Sequence, residues 1–369
     1  MTNENRNILL KLLEQHQESG MSEQIDYNKF YLYSIITHST AIEGSTVTEV
    51  EAILLFDEGI TSSKRTVVEQ MMNLDLKAAY EYGMQWIVRH EPITVEWLVL
   101  LASKVMARTG SEYHSASGDF SAAKGELRKL NVTAGFGGKS YMSYQKVPAR
   151  LEAFCEELNR RRKAIDVSDV SAIYDLSFWA HYELVTIHPW ADGNGRMSRL
   201  LMNLLQIEFG VLPTKVLKED KEAYIQALVD TRENDDINIF LDCMSRLHIA
   251  HLQSDIKQYE VALQDEVDRK GGQKKQKLPE KLPEKLPENR IDLINNIIEK
   301  SKSNGDKLTE NRIAILKLML EDPYISKSEI ATVIGISYTA VGSNINLMRG
   351  KYLRRVGPDK GGFWEVISD

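Results

Sequence analysis

The segment HPWADGNGRMSR, residues 188–199, concentrates side chains that can act on phosphates. His188 is a base with an ordinary pKa of roughly 6.5, so it is largely neutral at pH 7 and can accept a proton. Asp192 is the one carboxylate of the segment. Because the segment also contains two arginines and two glycines that can bind anions, this carboxylate suits a Mg²⁺ or Mn²⁺ ion that bridges phosphates. These residue types predict an active site for chemistry on phosphates.

The same segment predicts an anion site at a helix N-terminus. Apolar residues recur at helical spacing after the loop, so a helix should begin near Asn194 and present its N–H groups and the positive end of its dipole. Gly193 and Gly195 lack a Cβ and would let the backbone approach phosphate oxygens. Asn194 can donate from its side chain. Arg196 and Arg199, three residues apart, would grip separate phosphates.

This string resembles the signature of the Fic family, HPFx[D/E]GNGRxxR, with Trp190 where Phe is usual. Trp190 keeps a large aromatic that can anchor the loop in the core. The resemblance extends over roughly residues 24–252 and implies an all-α Fic fold with a small β-hairpin flap. It implies that the histidine deprotonates a Ser, Thr or Tyr hydroxyl on a target protein, which includes the enzyme itself. That oxygen would attack the α-phosphate of ATP, so that AMP is transferred and Mg²⁺-pyrophosphate leaves.

The resemblance also implies roles for the other residues of the segment. It places Asp192 on the metal, Gly193, Asn194, Gly195 and Arg196 on the phosphates, and Arg199 on the γ-phosphate. Tyr224 matches a helix position that borders the adenine pocket in the family, although a Tyr on an amphipathic helix is about as often a core residue.

A glycine-rich stretch at residues 127–144 contains the strongest candidate strands before the linker. It falls where Fic proteins carry the flap, which registers the target backbone by strand addition. The candidate contact residues are Phe136, Gly137, Gly138 and Lys139. An ordinary mobile hairpin is the alternative.

A second resemblance concerns STAIEG at residues 39–44, which is similar to the inhibitory motif [S/T]xxxE[G/N] of Fic proteins. Ser39 and Glu43 are four apart and share one face of a helix expected at about residues 25–44. If Glu43 pairs with Arg199, it removes a γ-phosphate ligand, and bound ATP would hold its α-phosphorus out of line for attack. Alternatively, Glu43 aligns a water that removes AMP from the same target.

The C-terminal part resembles a winged helix-turn-helix domain. Between the two parts, KLPE occurs three times at residues 277–288, and proline at every fourth residue excludes a regular helix. This linker is a solvated spacer or, being basic, a nucleic-acid contact. The winged domain carries eight basic and seven acidic residues over 309–369, so DNA contact and a docking role stay equally open.

The predicted organisation has four parts. They are an N-terminal helical region at 1–110, a Fic core at 111–260, a linker with a connecting helix at 261–308, and the winged domain at 309–369. The fold class is therefore mainly α, with a small α+β domain at the end. A net charge of −7 argues against a nucleic-acid or membrane surface over the whole molecule.

The cysteines and the apolar pattern of the chain bear on its cellular location. The sequence predicts a cytoplasmic protein with no membrane contact, because its two cysteines lack metal-ligand spacing and it has neither a signal-peptide pattern nor a long apolar run.

The leading hypothesis is a restrained protein adenylyltransferase. Another nucleotide donor, removal of AMP, and a DNA-binding regulator whose core senses nucleotide are the alternatives. Self-association as a homodimer is compatible with the resemblance.

Overall fold

A computed structural model describes residues 1–23, 27–134, 139–271, 294, 296–301, 308–321, 325, 327–334, 338–356 and 363–367. The chain divides into two compact units, residues 1–264 and 265–369. The KLPE repeats lie outside the described residues. None of the helices in the described ranges combines the length and the apolar character that a membrane crossing requires.

The first unit is mainly helical. Its helices are α1 (Asn3–Glu18), α2 (Tyr27–Ile42), α3 (Glu49–Glu58), α4 (Val67–Ile87), α5 (Val95–Val105), α6 (Val147–Ala164), α7 (Val170–Ile187), α8 (Asn194–Glu208), α9 (Lys221–Asn234) and α10 (Ile237–Gly271), which continues past residue 264. Two short strands, β1 (Glu112–Tyr113) and β2 (Phe120–Ser121), pair antiparallel with Glu112 opposite Ser121. These strands were not predicted, because two residues are too few to produce a detectable alternation.

Helix α8 begins at Asn194, as predicted, but it is buried on more than one face. Leu200, Leu201 and Leu204 belong to one apolar cluster, shared with α4, α5 and α7. Met202 belongs to a second cluster, shared with α1, α9 and α10. The helix that carries the candidate phosphate ligands is therefore enclosed by the unit, so its side chains are held by packing on all sides.

The end of α2 is tied to α4 by a buried polar network. Asn73 on α4 is fully buried. It accepts a hydrogen bond from Thr40 Oγ1 at 2.9 Å and donates to Ser45 Oγ at 3.2 Å. Glu43 lies between these two contacts, in the turn directly after the helix. Its backbone is consequently positioned by α4 rather than by α2 alone.

The described residues of the stretch 127–144 pair through an isolated bridge rather than through regular strands. One bridge joins Thr133 to Ser140, and the Tyr141 N–H donates to Val132 O at 3.0 Å. We refer to residues 130–134 and 139–144 as the two legs of the flap. The predicted tip residues Phe136, Gly137 and Gly138 lie outside the described residues.

The second unit has the elements of a winged helix domain. Its helices Glu310–Glu321, Lys327–Ile334 and Tyr338–Met348 precede the strands β3 (Leu353–Val356) and β4 (Phe363–Val366). The strands pair antiparallel with Leu353 opposite Val366. Ile315, Ile330, Val341, Ile345 and Leu353 form the centre of its apolar core. These elements confirm the predicted small α+β domain of winged-helix type.

Candidate active site

His188 ends α7 in the left-handed conformation, with φ 53° and ψ 60°. Its Nδ1 lies 3.3 Å from Val185 O, which favours the tautomer that carries its proton on Nδ1 and leaves Nε2 with a lone pair. Burial lowers the pKa of His188 to about 4, and the charge of Arg128 lowers it as well, against a raising contribution from the Val185 hydrogen bond. In the nucleotide-free protein this imidazole is therefore a neutral base at physiological pH.

The loop after His188 is closed by two side chains. Trp190 is 1% exposed, as expected for an aromatic anchor, and its indole N–H donates to Gly125 O at 2.9 Å. The Asn194 amide pairs with both backbone groups of Trp190: Oδ1 accepts from the N–H and Nδ2 donates to the carbonyl. Asn194 thus holds the loop against the first turn of α8. Its predicted contact with phosphate stays a prediction.

The two glycines at the start of α8 are required for different reasons. Gly193 has φ +81°, and a Cβ there would lie 2.7 Å from Met106 Sδ. Gly195 has no positive φ, but a Cβ there would lie only 2.5 Å from Glu43 Oε1. The Glu43 carboxylate therefore sits directly against the first helical turn, whose N–H groups have no intrahelical partners and attract anions.

Arg199 is the side chain that receives Glu43. It is buried, and its Nη2 donates to Glu43 Oε1 at 2.6 Å and to Ser39 O at 3.0 Å, while Nε donates to Ser39 Oγ at 2.9 Å. Partial burial raises the pKa of Glu43, but the charge and hydrogen bond of Arg199 outweigh it and hold that pKa below its ordinary value. The structure thus brings Ser39, Glu43 and Arg199 together as the motif predicts.

Arg196 is a buried cation with few good partners. It is 2% exposed. Its Nη1 and Nη2 lie 3.5 Å from Val105 O and 3.1 Å from Met106 Sδ, and its Nε has no hydrogen-bond partner within the described residues. Asp192 Oδ1 is 3.8 Å away. Since buried donors are normally satisfied, this guanidinium is suited to an additional anionic ligand.

Asp192 is the most open carboxylate of the site, with a side chain that is 57% exposed. Its Oδ1 accepts a hydrogen bond from the Gly193 N–H at 2.6 Å. No group of three or more metal-binding side chains occurs within the described ranges. A cation at Asp192 would therefore take its remaining ligands from nucleotide phosphates and water, which is the usual arrangement for Mg²⁺.

Tyr224 is fully buried at the base of the site, where it contacts Arg199. The Arg199 guanidinium lies 6.0 Å from the centroid of its ring, and its hydroxyl lies 2.9 Å from His181 Nε2. Lys139, the described member of the predicted flap contacts, pairs with Glu233 on α9 at 2.7 Å. The structure therefore places Tyr224 beside Arg199 and Lys139 beside α9, and their predicted contacts with nucleotide and target stay predictions.

Three residues at this site were missed by sequence reasoning. Asn73 positions the turn that carries Glu43. Tyr141 stacks on His188, with ring centroids 3.8 Å apart and an interplanar angle of 17°. Arg128 donates to the carbonyl of His188 at 2.8 Å. Their positions in the sequence carry no spacing that points to residue 188, because each contact joins elements that are distant along the chain.

Comparison with known proteins agrees with this geometry. A family model described as Fic/DOC family matches residues 92–206. Residues 92–206 are thus similar to a Fic domain, and the matched range includes His188 and the first turn of α8. A second model, described as winged helix-turn-helix DNA-binding, matches residues 308–349.

Relatives and solved structures support the same assignment. Protein adenylyltransferase Fic from Drosophila erecta is 26% identical over 202 residues, which are 54% of this chain and 37% of that protein. This chain therefore spans less than half the length of that curated relative. A Fic family protein from Desulfovibrio desulfuricans G20 has a TM-score of 0.57 at 16% identity, covering 100% of this chain and 97% of its own. A Fic domain containing signaling protein from Bacteroides thetaiotaomicron has a TM-score of 0.54 at 22% identity, covering 69% and 97%. These two structures share the fold of this chain.

Proposed function

We propose that this chain transfers AMP from ATP to a Ser, Thr or Tyr hydroxyl of a protein, and that Glu43 restrains the transfer. The observation that carries the proposal is the position of the neutral His188 beside an anion site formed by the first turn of α8, Arg196 and Arg199. A base next to phosphate-binding groups is the combination that nucleotidyl transfer to a hydroxyl requires. The Fic domain and the adenylyltransferase relatives support the same reaction class.

The proposed chemistry assigns one task to each group. His188 Nε2 accepts the proton of the target hydroxyl, whose oxygen forms the new bond to the α-phosphorus. The bond from that phosphorus to pyrophosphate breaks, and pyrophosphate leaves with the electron pair. The first turn of α8 and the two arginines bind the phosphates, whose charge they offset in a water-poor site.

Asp192 is the proposed ligand of a divalent cation, Mg²⁺ or Mn²⁺. Its exposed carboxylate beside the anion site fits an ion that is shared with nucleotide phosphates, and the described residues offer no cluster that would hold the ion alone. When bound, such an ion neutralises phosphate charge and orients the phosphates.

Restraint by Glu43 follows from charge and space. The carboxylate sits within 2.6 Å of Arg199 Nη2 and against Gly195, so it occupies the place of an anionic ligand. A phosphate of ATP that would pair with Arg199 must displace it. ATP that binds without doing so would leave its α-phosphorus out of line with the attacking hydroxyl.

The experiment compares Glu43→Gly with the native chain and with His188→Ala in the Glu43→Gly background, using ATP labelled at the α-phosphate and a cell lysate. Because a hydrogen bond between charged groups is worth about 1.5–3 kcal/mol, labelling of proteins should rise roughly 10- to 100-fold in Glu43→Gly. His188→Ala should abolish it. Equal labelling by the native and Glu43→Gly proteins would contradict the restraint, and no labelling by either would contradict the transfer.

Other nucleotide donors and the reverse reaction share this site. Parallel reactions with other labelled nucleotides, and with AMP-modified protein as the starting material, separate these possibilities. Mass spectrometry of the labelled proteins identifies the targets and the modified side chain. Sedimentation of the purified chain tests homodimer formation.

DNA contact is a second proposed activity, favoured by the winged helix-turn-helix match at residues 308–349. Arg349 and Lys351 are exposed between the third helix and the wing. Arg354 pairs with Glu365 at 2.7 Å, which offsets part of the basic charge. A gel-shift assay with the native chain and Arg349→Glu tests the contact. Binding should weaken in Arg349→Glu, equal binding would exclude Arg349 from the contact, and no binding by the native chain would favour protein docking.

A further inference from the structure

Arg128 is a buried cation whose donors all go to backbone carbonyls. It is 2% exposed. Its backbone N–H donates to Pro189 O at 3.0 Å and its Nε to His188 O at 2.8 Å. Its Nη1 and Nη2 donate to Leu130 O at 2.8 Å and to Met142 O at 2.6 Å. No carboxylate pairs with it among the described residues, so carbonyl dipoles alone compensate the buried charge.

The acceptors of Arg128 lie on three separate pieces of backbone. Leu130 belongs to the outgoing leg of the flap and Met142 to the return leg, while His188 carries the candidate catalytic imidazole. The two legs contact each other at Thr133 and Ser140. One planar guanidinium thus joins both legs of the flap to the backbone of the catalytic histidine.

The return leg also covers the histidine side chain. Tyr141, adjacent to Met142, stacks on the His188 ring at 3.8 Å. Arg232 on α9 donates to Ser140 O, and its guanidinium lies 5.6 Å from the Tyr141 ring centroid. The flap is therefore held above His188 from one side by Arg128 and from the other by α9.

The geometry of these bonds requires arginine. A guanidinium presents its donors in a fixed plane, so it can bond three carbonyls at set mutual positions. A lysine keeps the charge, but its single ammonium group on a flexible stem cannot reproduce that fork. Replacement by lysine would leave the charge near His188 and remove the registration of the two flap legs.

We infer that Arg128 is a positioning residue: it fixes the distance between the flap, where a target peptide would dock, and the imidazole of His188. This inference rests on the proposed function, because the distance matters only if a docked hydroxyl must reach His188. Reacting atoms must approach to about 3–3.5 Å, and a displacement near 1 Å can cost roughly 100-fold in rate. Loss of the fork should therefore reduce transfer without removing any group that touches ATP.

The test uses full-length Glu43→Gly protein, with and without Arg128→Lys. Arg150→Lys is the matched control, because Arg150 is partly exposed and pairs with Glu183 on the surface. Three quantities are measured: amide hydrogen exchange of residues 130–134 and 139–144, the pKa of His188 by NMR without nucleotide, and protein labelling from α-labelled ATP in lysate.

Arg128→Lys should accelerate exchange in both flap legs. It should also raise the pKa of His188 from about 4 by at least about one unit, because the opened flap hydrates the imidazole while the charge at residue 128 is kept. Labelling should fall at least about tenfold, with the affinity for MgATP within about twofold of the parent. If Arg128 only contributed to general stability, labelling would fall while the pKa of His188 stayed unchanged. That result would overturn the inference.

The parent protein could lack labelling activity, and Arg128→Lys could fail to fold; each case has its own readout. If the Glu43→Gly parent labels no protein, the proposed function fails, while exchange and titration still decide whether Arg128 holds the flap to His188. If Arg128→Lys does not fold, proton exchange of the guanidinium groups in the parent is compared by ¹⁵N NMR. Arg128 protons should exchange far more slowly than those of Arg150, and equally fast exchange would refute the clamp.

Discussion

At the scale of single residues, the Glu43 carboxylate lies where the proposed function places an anionic ligand. It contacts Arg199 and leaves no room for a side chain at residue 195. The glycine of the GNG sequence was assigned to phosphate approach from the motif alone. The structure adds a second constraint, since the same missing Cβ gives space to the glutamate. Under the proposed function, Gly195 thus leaves space both for a phosphate and for the carboxylate that would exclude it.

Gly195→Ala tests this crowding through stability. In the native chain the new Cβ meets Glu43 Oε1, and such overpacking costs about 1–3 kcal/mol of unfolding free energy. In Glu43→Gly that clash is absent, and Ala gains up to about 1 kcal/mol in helix propensity. A double-mutant cycle measured by denaturant unfolding should give a coupling of at least about 1 kcal/mol. Equal effects of Gly195→Ala in the two backgrounds would show that the carboxylate does not occupy this place.

At the scale of elements, the turn after α2 depends on α4. Asn73 bonds Thr40 and Ser45 on either side of Glu43, and all three side chains are buried. The motif at residues 39–44 predicted the pairing of Glu43 with Arg199, but it contains no information on what holds the turn. The strength of the pairing between Glu43 and Arg199 is therefore set partly by α4, which carries Asn73.

Asn73→Ala should weaken the restraint. Removing the amide leaves two buried hydroxyls with fewer partners and costs about 1–3 kcal/mol locally. Labelling of protein should rise severalfold, but it should not rise further in the Glu43→Gly background. Asn159→Ala is the control, because the Asn159 amide also accepts one hydrogen bond and donates another, in this case with the backbone of Ile93 away from the site. A rise of the same size in Asn159→Ala would assign the effect to general loosening.

At the scale of the whole molecule, the candidate site lies within one unit. Glu43, His188, Arg199 and Tyr224 all belong to residues 1–264, and the winged helix domain lies in the second unit. The KLPE repeats predict a spacer between the two units. Nucleotide chemistry and any DNA contact are therefore expected to be separable.

A chain that ends at residue 271, the last residue of α10, tests this separation. Because every proposed ATP contact is retained, its affinity for MgATP should remain within about twofold of the full chain, as measured by calorimetry. DNA binding, if present in the full chain, should be lost. A loss of MgATP affinity in a truncated protein that keeps its helical circular dichroism would show that the second unit contributes to the site.

Much of the site followed from sequence because its groups are local. His188, Asp192 and the glycines lie within one loop and one helical turn, so their spacing alone predicts a base beside an anion site. The start of α8 and the winged helix elements were likewise predictable from apolar periodicity. Strands β1 and β2 were not. In the described legs of the flap, an isolated bridge between Thr133 and Ser140 stands where the glycine-rich sequence predicted strands.

The sequence by itself determined which groups are present and that they face one helix N-terminus, since backbone geometry over a few residues leaves little choice. Only the tertiary structure decided their state. It brings Glu43 onto Arg199 across 156 residues of chain. It buries His188 under Tyr141, so that the pKa of the imidazole falls, and it directs Arg128 to both flap legs. These properties depend on burial and on contacts between distant segments, which no local pattern contains.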